Sequence, residues 1–149
     1  EISATDGPIA KAKLWAELGQ MARERLGERG KARDAFTKSL ELDPTSTPAS
    51  RGLGEMAFAD QNFVATTKYL EPLLARTSEM DPKSARDLSV MCGDAFRKQS
   101  IFDKAQRAYL NAKAFAPSDR EVLERVAEVT FESGAASLTD AVTMSPRRA

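Results

Sequence analysis

The chain has 149 residues, 42% hydrophobic and 30% charged, with 22 basic and 22 acidic side chains and no histidine. That length fits one domain with a sizeable core, and the composition excludes both a disordered chain and a membrane-embedded one. Zero formal net charge argues against nucleic acid as a partner, because binding phosphates needs a positive excess.

No stretch approaches the roughly 18 consecutive apolar residues of a membrane span, so direct membrane insertion is not expected. Cys92 is the single cysteine, which leaves no intramolecular disulfide, and without histidine no Cys/His metal site can form. Composition does not separate cytoplasm from periplasm. The chain opens at Glu1 without a signal-peptide pattern and is expected to be cut from a longer or processed protein.

Helical periodicity runs almost throughout, and strands are hard to find. The predicted helices cover about 8–26, 31–42, 48–60, 62–77, 83–99, 101–115, 119–132 and 135–143, joined by short loops. A linker over 1–7 and a tail over 144–149 flank them. Pro8, Pro48 and Pro82 stand at or near the first helical position, where a missing N–H costs nothing. Ser118 and Glu121 read as a capping box. Pro72 falls inside the fourth helix and predicts a kink or an early break.

Basic residues crowd the first two helices: Lys11, Lys13, Arg23, Arg25, Arg29, Lys31 and Arg33 against Glu17, Glu24 and Glu28. This reads as a solvated face with intrahelical pairs.

Two markers recur with one period. Asp43-Pro44, Asp81-Pro82 and Ala116-Pro117 each end a helix, 38 and 35 residues apart. Leu18-Gly19, Leu53-Gly54 and Cys92-Gly93 lie inside helices, 35 and 39 residues apart. The chain is therefore an internal repeat, with units at about 10–44, 47–82, 83–117 and 119–143.

The residues at those positions resemble the tetratricopeptide repeat (TPR), a pair of antiparallel helices. Repeat one supplies Trp15, Leu18, Gly19, Ala32, Phe36 and Pro44; repeat three supplies Cys92, Gly93, Phe96, Ala105, Tyr109, Ala112 and Pro117. Repeat two carries Thr66 where alanine is usual, and repeat four keeps only Val126, Ala127 and Gly134. The resemblance implies an all-α, right-handed α-solenoid of about four helix pairs. It also implies that glycines 19, 54 and 93 let Phe36, Leu70 and Tyr109 pack close.

By the same resemblance, the first helix of each pair lines a concave groove that binds a protein or peptide. Its positions carry Lys13, Ala16, Gln20 and Arg23, then Arg51, Glu55 and Phe58, then Val90, Asp94, Arg97 and Lys98. Two readings of Phe58 stand: with Arg23, Arg51 and Arg97 it suits an extended acidic-aromatic peptide, or it packs against the neighbouring pair. Members that dock chaperone C-termini hold the carboxylate with lysine, arginine and asparagine. Here those places carry Ala16, Gln20, Gly52, Asp87 and Met91, so that role is not expected.

No catalytic constellation is present: histidine is absent, and GERGK at 27–31 lacks the spacing of a phosphate loop. Cys92 reads as an inert core thiol. The expected function is thus a non-enzymatic interaction scaffold without cofactor or metal. Two alternatives are self-assembly through the terminal repeats and the docking region of a larger kinase or glycosyltransferase. A composition rich in Ala, Arg and Glu suggests a bacterial setting such as an envelope, pilus or secretion assembly.

Overall fold

The computed structural model describes residues 7–144, with side chains to residue 135. Apart from Gly7 and Met144, the expected linker and tail lie outside the described residues. The described chain forms seven α-helices: α1 (Gly7–Glu24), α2 (Arg29–Leu42), α3 (Thr47–Ala59), α4 (Phe63–Leu70), α5 (Pro82–Lys98), α6 (Phe102–Phe115) and α7 (Arg120–Met144). A 3₁₀ segment, Glu71–Glu79, follows α4, and no strand occurs among the described residues. Two compact units divide the chain, Glu1–Leu73 and Leu74–Ala149.

Polar side chains cap the starts of α3, α4 and α5. Ser46 accepts from the Ala49 N–H at 3.4 Å, Asn62 from Ala65 at 3.2 Å, and Asp81 from Ser84 at 3.0 Å. At α7 the cap is Asp119, which accepts from Val122 at 3.1 Å, rather than the expected Ser118. The turn into α2 uses Gly27 at φ +63°, a left-handed conformation that favours glycine. Pro72 has the predicted effect. It has no N–H to donate to the Lys68 carbonyl, and α4 stops at Leu70.

In the first unit α1 pairs with α2, α3 pairs with α4, and α3 also meets α1 and α2. The link between the pairs is Phe36, which is 1% exposed. A Cβ on Gly19 of α1 would lie 2.8 Å from one edge of its ring. A Cβ on Gly52 of α3 would lie 2.5 Å from its Cζ tip. One ring thus fills slots in two successive first helices. Leu70 fills the equivalent slot at Gly54. Thr66 fits an alanine position because its hydroxyl donates to the Asn62 carbonyl at 2.9 Å, which leaves no buried polar atom unsatisfied.

In the second unit α5 pairs with α6, and α7 packs on α6. The Tyr109 ring seats on Gly93, 2.6 Å from where a Cβ would stand. Val122 and Val129 are fully buried, so α7 packs this face inward. The expected break at Gly134 is absent. This glycine keeps negative φ and has open space around it, and no proline occurs from 120 to 144. Nothing there stops a helix, so the two predicted helices over 119–132 and 135–143 are one. The described residues hold three helix pairs and a single further helix.

Candidate functional site

The first unit brings three of the groove residues together. Arg23 Nη1 donates to Glu55 Oε1 at 2.7 Å, and Arg51 Nε donates to Oε2 at 3.0 Å. One carboxylate thus joins arginines from two successive first helices. Pairs this exposed add little stability each. Their effect is to fix the direction of three long side chains. Gln20 donates to Glu24 one turn on, and Lys13 is exposed.

Phe58 is half-buried, in contact with the start of α4. Its ring meets Phe63 edge-on, with centroids 5.7 Å apart. The chain reverses within Asp60–Asn62, helped by Gln61 at φ 60°, and so brings the start of α4 onto the end of α3. The basic residues beside this turn also pair across helices: Arg29 with Asp60 at 2.9 Å and Arg33 with the same carboxylate at 3.5 Å.

The second unit repeats the device. Arg97 on α5 donates to both oxygens of Glu132 at 2.8 Å and to Glu128 at 3.1 Å. Asp94 accepts from Arg125 Nε at 2.9 Å and from the Tyr109 hydroxyl. Arg86 reaches Asp119 at 3.1 Å, Asp87 at 3.0 Å and Glu121. Val90 departs from its expected groove position. At 7% exposure it belongs to the core, and Lys98 remains exposed. Of the clamp positions, Ala16 and Gly52 are buried, and Asp87 pairs with Lys83 and Arg86.

Register connects the two units. Arg23 and Arg97 each stand four residues after the helix glycine. Glu55 and Glu128 each stand one residue after the matching position, Gly54 or Ala127, in the next repeat. Sequence reasoning missed these pairs. The available signal was an arginine followed 31–35 residues later by an acid, which is the repeat period itself.

Arg97 holds the Glu132 carboxyl below its usual range. Arg86, with the Val122 N–H, does the same for Asp119. Burial, then the bond to Asp94, pushes the Tyr109 phenol well up. Carboxylates depressed in the folded state stabilise it above their unfolded pKa of about 4, and lose that effect as pH falls through the folded value. Urea midpoints should therefore hold from neutrality to about pH 5 and drop below about pH 4. Glu132→Gln with Asp119→Asn should flatten that drop; an unchanged acid limb in the double variant would contradict the assignment.

Among the described residues, no cluster of three acids or cysteine could hold a metal, and no helix is long and apolar enough to cross a membrane. Antiparallel pairs, ring-on-glycine packing and the repeat register define an all-α, TPR-like helical repeat. Solved TPR domains share it. The N-terminal domain of stress-induced protein-1 (STI-1) from C. elegans is 21% identical over 87% of this chain and 99% of its own, with a TM-score of 0.66. The first TPR domain of human RPAP3 is 16% identical over 87% and 96%, with a TM-score of 0.63. The first TPR of Spaghetti (RPAP3), solved bound to the HSP90 peptide SRMEEVD, is 16% identical over 85% and 95%, with a TM-score of 0.66. No family model matches the chain, and no curated protein does.

Proposed function

We propose that this chain is a non-enzymatic protein–protein interaction module that holds a protein or peptide segment on the faces of its first helices. The supporting observation is a fold shared with TPR domains, one of them solved with a bound peptide. On these faces Arg23, Arg51 and Arg97 are partly exposed and held in fixed directions by carboxylates, a geometry that suits acidic side chains on the ligand. The ligand's terminal carboxylate is not its main handle, since Ala16 and Gly52 stand where a clamp needs long polar side chains. A bacterial envelope, pilus or secretion assembly is the setting we favour, on composition alone. Self-association through the terminal repeats is a second reading, favoured by Phe131, which is 76% exposed on α7.

Selection of short extended peptides displayed on phage tests the reading. Retained sequences should be rich in acidic and aromatic residues. Combined alanine substitution of Arg51, Phe58 and Arg97 should weaken their retention by about tenfold or more while helicity by circular dichroism stays unchanged. Full retention by that variant would move the binding surface off these helices.

A further inference from the structure

Arg23 and Arg97 share a register but not a charge balance. In the first unit Arg23 Nη1 on α1 and Arg51 Nε on α3 donate to the two oxygens of a single carboxylate, Glu55. Two cations to one anion leave one positive charge over. In the second unit Arg97 gives Nε and Nη2 to Glu132 and Nη1 to Glu128, so each of its nitrogens is taken. One cation to two anions leaves one negative charge over.

The nitrogens that remain in the first unit come in pairs. Among the described residues, Arg23 makes no bond through Nε or Nη2, and Arg51 makes none through Nη1 or Nη2. Each pair is one edge of a planar guanidinium, the edge that grips an oxyanion with two parallel bonds. The two side chains are 29% and 27% exposed, within reach of a ligand, and Glu55 already holds both in place. A carboxylate from a ligand has two oxygens, enough for one edge. A phosphate monoester has three oxygens and close to two negative charges at neutral pH, enough to engage both. We infer that Arg23 and Arg51 form a site for a phosphorylated side chain on the bound segment. Phe58 stands one helical turn past Glu55, where an apolar neighbour of that side chain would meet it. The site lies within the proposed binding surface of the first helices and stands only if that surface binds a segment.

The chain has no histidine, so no side chain with an ordinary pKa changes charge between about pH 5 and 7, and a pH profile there reports the ligand. The probe is a synthetic extended peptide with phosphoserine two residues before phenylalanine, which puts both on one face. Control peptides carry glutamate or serine instead of phosphoserine. Calorimetric titration of the intact chain should find the phosphoserine form bound about tenfold or more tightly than the glutamate form. That preference should shrink as the pH falls through the second phosphate pKa of about 6. Arg23→Ala and Arg51→Ala should each remove it. Arg51→Lys, which keeps the charge and loses the fork, should remove it too. Arg107→Ala, on the exposed side of α6, should keep it.

Equal affinity for the phosphoserine and glutamate forms would overturn the inference and leave the first-helix surface standing. So would a preference that Arg51→Ala retains, or inorganic phosphate bound as tightly as the peptide, the mark of an adventitious ion only. Vesicles of phosphatidic acid bound ahead of the peptide, and released by Arg51→Ala, would also overturn it, because the phosphate would then belong to a lipid. If no form of the peptide binds, the phosphate site falls, and the phage selection decides the surface separately.

Discussion

Phe36→Ala should lower the stability of the first unit by about 3–5 kcal/mol, the range for emptying a buried aromatic site. The ring is 1% exposed and is gripped by glycines on two helices. That grip gives a second, sharper result. Gly52→Ala gains about 1 kcal/mol of helix propensity. With Phe36 in place, however, the new methyl would meet the ring at 2.5 Å. The ring has little room to shift, because it is 1% exposed and already fills the Gly19 slot along its adjoining Cδ1–Cε1 edge. Overpacking of this kind costs about 1–3 kcal/mol, so Gly52→Ala should destabilise the wild type. In the Phe36→Ala background the same change should stabilise. Urea denaturation of the four proteins in this cycle reads the sign directly, and a Gly52→Ala effect of one sign in both backgrounds would refute the shared slot.

Asp94→Ala should be the costliest single change among the charged residues, at about 2–3 kcal/mol. Asp94 accepts from Arg125 and from the fully buried Tyr109 hydroxyl, and its loss strands the phenol and leaves Arg125 only Glu121, at 3.7 Å. Tyr109→Phe removes one donor together with its need for an acceptor, and should cost only about 1 kcal/mol. Chemical denaturation that ranked Tyr109→Phe above Asp94→Ala would show that the phenol, not the carboxylate, organises this contact. The pair also guards against a misreading. Asp94 stands at a position assigned to the partner, so weaker binding in Asp94→Ala counts as a ligand contact only if Tyr109→Phe binds normally.

The scaffold was legible because it is built from local, periodic demands. Glycine marks where a ring must come close, proline marks ends, and both recur at the repeat length. Gly19, Gly54 and Gly93 accordingly receive Phe36, Leu70 and Tyr109 as the repeat pattern implied. Gly52 was read only as a groove position because it lies outside the repeated motif, although it meets the same ring. The break at Gly134 was misread because a glycine alone does not end a helix when nothing requires positive φ. The charged residues were the least legible. Arginine and glutamate reach far from their backbone, so helical periodicity fixes their Cα positions but not their partners. Phe58 illustrates the limit for aromatics, since only the tight reversal into α4 brings Phe63 against it.

The Arg23–Glu55 and Arg97–Glu128/Glu132 pairs have one consequence for any acidic ligand. Such a ligand meets arginines that are already occupied by a tethered competitor. Docking is then an exchange: one carboxylate leaves for solvent as another arrives. The number of ion pairs is nearly conserved, so the net gain is the difference between two similar contacts. Acidic residues on the ligand are needed for the exchange but do not by themselves discriminate between acidic segments. Selectivity falls instead to whatever the displaced glutamates cannot imitate, namely the backbone and apolar side chains that an arriving segment brings with its acids.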